Sequence, residues 1–366
     1  MKQLSVLIKP ASSLCNMKCK YCFYLDEAKC RSQDSYGILP LAMAEDLIIK
    51  SFARLDDNGT LAIMFQGGEP LLAGVEWFRD FLALVDKYQG QKQKVTYGLQ
   101  TNATLVNDDW AKLFKERGFL IGISLDGYQS NMDKYRYDKK QKSVYHLVMN
   151  GIGILRKHQI DFNILTVVTK TLAKNPEGLF KYYIDNGIEY VQLIPCLPSL
   201  NGDGAMDAEA LTPELFASFY ISFFDKWYES LRKGKYLDVN LFSNLLEIAS
   251  NRMPYQCGML GHCSPQYVIE GDGSVFPCDF YAVDQYLMGN IKCNDYQELD
   301  CSKGRESFIS EGKAKRKICN SCRFVGICNG GCRRQNVCYL RDDYCGYQLF
   351  LQHAFDKIIY LASKGY

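Results

Sequence analysis

From residue 5 to about 230 this chain alternates short β-prone runs with longer stretches that carry apolar residues at helical spacing. That alternation restricts it to parallel β/α units. Strands are expected at Ser5 to Lys9, Leu61 to Gln66, Val95 to Gln100, Leu120 to Asp126, Phe162 to Thr169 and Tyr190 to Pro195. Helices are expected over Leu41 to Arg54, Val75 to Tyr88, Asp108 to Arg117, Val144 to His158, Glu177 to Asn186 and Pro213 to Arg232. Six such units fall short of the eight that close a TIM barrel, so the expected α/β fold is an open, partial (β/α)6 barrel with its reactive groups at the C-terminal strand ends. After Gly234 the composition changes. Eleven of the sixteen cysteines lie between Cys257 and Cys345, which predicts a barrel domain over 1–234 and a small cysteine-rich domain over 235–366.

Directly past the first strand stand Cys15, Cys19 and Cys22, spaced C-x3-C-x2-C. A cubane 4Fe-4S cluster takes four thiolates, so a local group of three leaves one iron open to a further ligand. The competing readings are a zinc site, which usually wants four ligands and finds no histidine nearby, and buried thiols packed as small hydrophobes. The second strand runs into Gln66-Gly67-Gly68-Glu69-Pro70. Its glycines admit close backbone approach, and the Glu69 carboxylate either supports the loop or faces an ammonium group. A tight strand-to-helix turn would look the same.

A formal net charge of +2 gives no global basic field, so nucleic acid is not an expected partner. No apolar run approaches the length of a membrane span. Met1-Lys2-Gln3 leads into a brief apolar strand and Pro10 with no secretory h-region, so a reducing cytoplasmic location is expected. Cysteines there serve metal or redox chemistry more often than bridges. The strongest metal signal is C-x2-C-x5-C-x3-C from Cys319 to Cys332, for which a zinc ribbon is the plain alternative.

The N-terminal triad, followed by Phe23 and Tyr24, resembles the signature of the radical S-adenosylmethionine (SAM) superfamily. The resemblance implies that the open iron chelates SAM, and that an electron from the cluster cleaves it to methionine and a 5'-deoxyadenosyl radical. Gly67-Gly68-Glu69-Pro70 resembles the superfamily motif whose backbone holds the SAM amino group. The cysteine-rich region resembles the SPASM domain, which implies two auxiliary 4Fe-4S clusters. Cys257, Cys263, Cys278 and Cys332 would hold one, and Cys319, Cys322, Cys328 and Cys345 the other. Cys30, Cys196, Cys293, Cys301 and Cys338 are left as structural residues.

Leu7 to Ser13, Phe65 to Gly74, Gly273 to Tyr281 and Gly330 to Arg334, taken together, resemble the anaerobic sulfatase-maturating enzymes along nearly the whole chain. The resemblance implies oxidation of a sulfatase's active-site cysteine or serine to Cα-formylglycine, begun by radical abstraction of the Cβ hydrogen. Asp279, next to an auxiliary ligand, would take the thiol or hydroxyl proton, and an auxiliary cluster the remaining electron. Tyr21, Gly68, Ser124, Arg136 and Leu197 match SAM contacts; Tyr24 and Gln66 would line the substrate cavity. The implied partners are an unfolded or nascent sulfatase bearing Cys/Ser-x-Pro/Ala-x-Arg and an electron donor such as flavodoxin or ferredoxin. Two other readings compete: a SPASM peptide maturase that forms a thioether or another cross-link, and a zinc-binding interaction module on an idle barrel.

Overall fold

The computed structural model describes residues 1–202, 205–312 and 316–366. Its strands are β1 (Gln3–Ile8), β2 (Thr60–Phe65), β3 (Lys94–Thr101), β4 (Leu120–Ser124), β5 (Phe162–Val168), β6 (Tyr190–Pro195), β7 (Asp238–Val239), β8 (Tyr267–Ile269), β9 (Ser274–Phe276) and β10 (Gly289–Asn290). The six strands expected from the sequence are β1 to β6, each within two residues of its expected ends. Helices Leu41–Arg54, Val75–Tyr88, Asp108–Arg117 and Pro213–Arg232 coincide with the expected spans. Local chemistry explains such sharp ends. The Asn107 carboxamide oxygen accepts from the Asp109 and Trp110 amides, and Gly118 closes the same helix in the left-handed region. Thr212 caps the helix that opens with Pro213.

The chain forms two compact units, neither of them continuous. The first takes residues 1–124, 136–162 and 265–311, and the second 125–135, 163–264 and 312–366. Residue 234 lies inside the second unit, so the composition boundary marks where the cysteine motifs begin and not where a compact body ends.

In the first unit β1, β2, β3 and β4 pair in order and in parallel. On the other side of β1 lies β8, also parallel, with Leu7 opposite Val268. β9 and β10 follow it antiparallel. Alternate β2 residues Leu61, Ile63 and Phe65 are buried, and the Phe65 ring packs against Phe78 and Phe81 with centroids 4.8 and 5.2 Å apart. Truncating one such ring typically costs ~3–5 kcal/mol.

In the second unit β5, β6 and β7 pair in parallel. Helices Pro213–Arg232, Asn240–Ala249 and Gly346–Ser363 pack together around Phe224, Trp227, Phe242 and Phe350, with Phe242 5.0 Å from Trp227 and 5.8 Å from Phe350. The last two helices lie outside the sequence expectation. Their signal was present, since Tyr347, Phe350, Leu351, Ala354, Ile358 and Leu361 repeat at helical spacing and are buried. Among the described residues no helix is long and apolar enough to cross a membrane.

Candidate active site

β1 delivers the triad. Past Ile8 the chain makes two tight turns, with the Ser12 amide donating to the Lys9 carbonyl and that of Leu14 to Ala11, and it then enters the cysteine loop. Cys22 caps helix Phe23–Lys29. The Arg136 guanidinium reaches Cys19 Sγ at 3.9 Å and lies 5.3 Å from the Tyr21 ring centre. The Asn102 amide reaches Cys15 Sγ at 3.8 Å. Burial pushes the Cys15 and Cys22 thiols up to about 11. As free thiols they keep their protons at neutral pH, and binding a metal would require their release.

The Gly67-Gly68 turn after β2 is pressed onto this loop. Gly67 has φ +120°, and a Cβ on Gly68 would lie 2.1 Å from the Leu14 carbonyl oxygen. The Gly68 and Glu69 amides donate to the carbonyls of Ser12 and Leu14, each at 2.8 Å. No side chain fits there, so the turn and the cysteine loop hold one shape together. Glu69 supports the loop: its carboxylate accepts from the Leu71 amide at 3.1 Å, the Thr101 hydroxyl at 2.7 Å and the Asn102 amide at 2.8 Å. Burial nonetheless pushes this carboxyl up to about 7. Both oxygens face donors, so an amide in either orientation would set N–H against N–H or O–H. Glu69→Gln is expected to cost ~1–3 kcal/mol, read as a lower unfolding midpoint under anaerobic conditions.

Asp279 follows β9 and is buried. Its Oδ2 accepts from the Tyr24 hydroxyl at 2.8 Å and from the Gln66 amide at 3.0 Å. Its Oδ1 accepts no hydrogen bond and faces the Lys9 ammonium at 3.3 Å. Burial first, and then the Asp279 charge, push the Tyr24 phenol well above its ordinary value, so it stays a donor. Tyr24 and Gln66, expected to line the substrate cavity, and Asp279, the expected proton acceptor, thus converge in the first unit. Four others that the sequence reading missed join them. Lys9 also faces Glu27 at 3.5 Å and Glu270 at 3.2 Å, and Arg31 pairs with Glu270 at 2.8 Å and Glu27 at 3.4 Å. The Ser12 hydroxyl donates to Glu270 at 2.8 Å. Burial lowers the Lys9 pKa, but the surrounding carboxylates outweigh it and the net shift is upward. Burial pushes Glu27 up to about 7. The signals available were a lysine closing an apolar strand and an i, i+4 Glu–Arg pair, both of which read as ordinary surface features.

Of the other expected SAM contacts, Ser124 closes β4 and is buried, as is Arg136. Leu197, two residues past β6, is buried in the second unit.

In the second unit Cys319, Cys322, Cys328 and Cys345 line one hollow with Phe324 and Tyr339. Burial first, and then the charges of neighbouring cysteines, push the Cys328 and Cys345 thiols up. Burial first, and then the charge of nearby Cys332, push the Cys257 and Cys263 thiols up, which groups these three cysteines. A Cβ on Gly258 would lie 2.7 Å from that of Cys332. Cys278 belongs to the first unit. Among the described residues no three ligating side chains close on a single-ion point. The thiols that line the hollow match in number the four thiolates a cubane takes. Cys338 donates to the Cys196 carbonyl at 3.3 Å and both are buried, whereas Cys293 and Cys301 are exposed.

Residues 10–182 match the Radical SAM superfamily and residues 261–323 the SPASM iron-sulfur cluster-binding domain. The cysteine-type anaerobic sulfatase-maturating enzyme of Clostridium novyi (strain NT) is 40% identical over 334 residues, 91% of this chain and 89% of that protein. The enzyme of the same description from Clostridium perfringens (strain 13 / Type A) is 35% identical over 370 residues and the full length of both chains. The solved structure of native anSMEcpe with bound AdoMet and Kp18Cys peptide superimposes with a TM-score of 0.91 at 34% identity, covering 99% of each chain.

Proposed function

The chain belongs to the anaerobic sulfatase-maturating enzymes of the radical SAM superfamily, and from that premise we propose how its own residues divide the work on a sulfatase-derived peptide. Family membership sets aside the zinc-binding module and the cross-linking maturase. The reaction is oxidation of a substrate side chain to Cα-formylglycine with SAM and three 4Fe-4S clusters. Cysteine is the favoured substrate residue, in keeping with the cysteine-type relatives and the Kp18Cys peptide bound by the solved neighbour.

Cys15, Cys19 and Cys22 would hold the cluster that acts on SAM, and Tyr21, Gly68, Ser124, Arg136 and Leu197 would hold SAM itself. When bound, these groups supply the one-electron chemistry that removes the substrate Cβ hydrogen. The chain's part in the later steps is proton and electron management. Asp279 takes the thiol proton. The observation that carries this is the asymmetry of its carboxylate: Oδ2 accepts from Tyr24 and Gln66, while Oδ1 accepts no hydrogen bond and is balanced by the Lys9 ammonium at 3.3 Å. Tyr24 and Gln66 steady the base and border the peptide. Cys257, Cys263, Cys278 and Cys332, of which Cys278 precedes Asp279 in the chain, would hold the auxiliary cluster that supplies an acceptor for the remaining electron. Water then hydrolyses the resulting thioaldehyde to the aldehyde, with loss of hydrogen sulfide. The functional modules are 1–234 and 235–366, the client is an unfolded or nascent sulfatase in the cytoplasm bearing the Cys/Ser-x-Pro/Ala-x-Arg motif, and a flavodoxin or ferredoxin feeds the clusters.

The test is anaerobic incubation of the reconstituted enzyme with SAM, reductant and a Cys-x-Pro-x-Arg peptide, beside its serine counterpart. A mass change of cysteine to aldehyde supports the reading, and an unchanged or cross-linked peptide overturns it. The second auxiliary set has its own check: Cys345→Ala should lower bound iron and sulfide by about one third, one cubane of three.

A further inference from the structure

Lys9 is buried almost completely, at 1% exposure. Desolvating an ammonium costs several kcal/mol unless close partners offset it, so its place at the end of β1 calls for a reason. Its three carboxylate partners do not depend on it equally. Glu27 and Glu270 each pair with Arg31 as well. Asp279 has Lys9 as its one ion-pair partner among the described residues. The ammonium also lies 4.8 Å from the centre of the Tyr24 ring, whose hydroxyl donates to the opposite oxygen of Asp279. Backbone pairing fixes where Lys9 starts, because its amide donates to the Ile269 carbonyl at 2.8 Å and so prolongs the pairing of β1 with β8.

Resting on the reading of Asp279 as the proton acceptor, we infer that Lys9 is a positioning residue for that carboxylate: it holds Oδ1 in place while Tyr24 and Gln66 hold Oδ2. Two donors on one oxygen leave a carboxyl group free to swing about the bond that joins it to the backbone. A cation on the other oxygen removes that freedom and fixes the plane of the carboxylate. Lys9 itself touches neither substrate nor cluster in this scheme. Its loss acts through Asp279, on the fraction of radical events that end in product.

The experiment compares parent, Lys9→Met, Lys9→Met with Glu27→Gln, and Asp279→Asn as anaerobically reconstituted holoenzymes. The double variant removes one positive and one negative charge, so the buried cluster keeps its formal balance and the fold is protected. The readouts are iron and sulfide content, the dissociation constant of a fluorescent Cys-x-Pro-x-Arg peptide, and formylglycine formed per 5'-deoxyadenosine released. At least one Lys9 variant is expected to load its clusters and bind peptide within about twofold of the parent while its product ratio falls ~10-fold or more, the scale set by a misaligned reacting group. Parent-like coupling in a loaded Lys9 variant overturns the inference. So does a decline in which iron content, peptide affinity and coupling fall together in both variants, because that marks a purely structural lysine. If Asp279→Asn still makes aldehyde at the parent rate, the reading beneath the inference fails instead, and the two failures are told apart in the same assay.

Discussion

Asp279→Asn is expected to leave the clusters loaded and SAM cleavage running while formylglycine output falls by ~10²–10⁴-fold, the range a positioned general base contributes. The amide keeps the size of the side chain and still accepts from Tyr24 or Gln66, but it takes no proton. The order of events matters to the size of the effect. An ordinary aspartate and a cysteine thiol differ by about 4.6 pKa units, so transfer before any bond is broken would cost ~6 kcal/mol. Removal of the Cβ hydrogen acidifies the neighbouring thiol, which puts proton loss with or after that step. The check is chromatographic 5'-deoxyadenosine beside mass spectrometry of the peptide. A parent-like aldehyde yield would remove Asp279 from the mechanism.

Glu270→Gln should produce the largest loss of stability of any single change at this site, ~3–5 kcal/mol, because it leaves Lys9 and Arg31 buried with the nearer of their two shared carboxylates gone. Glu270 is fully buried and its Oε1 faces both cations, at 3.2 and 2.8 Å. Burial pushes its carboxyl up, but Lys9, Arg31 and the Ser12 hydroxyl outweigh that and hold it below the ordinary value. The linkage has its sign from that direction. A carboxyl held low in the folded state contributes its stability above its unfolded pKa and loses it as pH falls through the folded one. Parent and variant should therefore differ most at neutral pH and converge in acid. Anaerobic chemical unfolding at several pH values reads this directly, and a gap that widened in acid would contradict it. The variant should also cleave SAM more slowly, since Ser12 ties Glu270 to the loop on which Gly68 rests.

The barrel strands were legible because their information is local. Alternation in β2 and helical spacing in Asp108–Arg117 need only a window of neighbours, and caps such as Asn107 and Thr212 write the ends into the sequence. The cysteine ladder was legible for the same reason. Asp279, Tyr24 and Gln66 came from a family resemblance, since nothing in their spacing brings residues 24, 66 and 279 together. The charged group of Lys9, Glu27, Arg31 and Glu270 escaped altogether. A lysine after Val6-Leu7-Ile8 reads as a snorkelling strand end, and only the pairing of β1 with β8 brings residue 270 beside it. Helix Gly346–Ser363 is an ordinary amphipathic repeat that begins directly after the last cysteine of the ladder.

The pairing of β8 with β1 also decides what β1 would be without it. Uncovered, β1 would offer a row of free backbone donors and acceptors along an apolar strand, the template on which chains join edge to edge and aggregate. In this fold β8, β9 and the two-residue β10 cover it and leave only a short terminus to the sheet. The segment that brings Cys278 and Asp279 to the site is therefore also what shields the unit from edge-to-edge association. A chain cut back to its barrel motifs would lose that protection together with its chemistry.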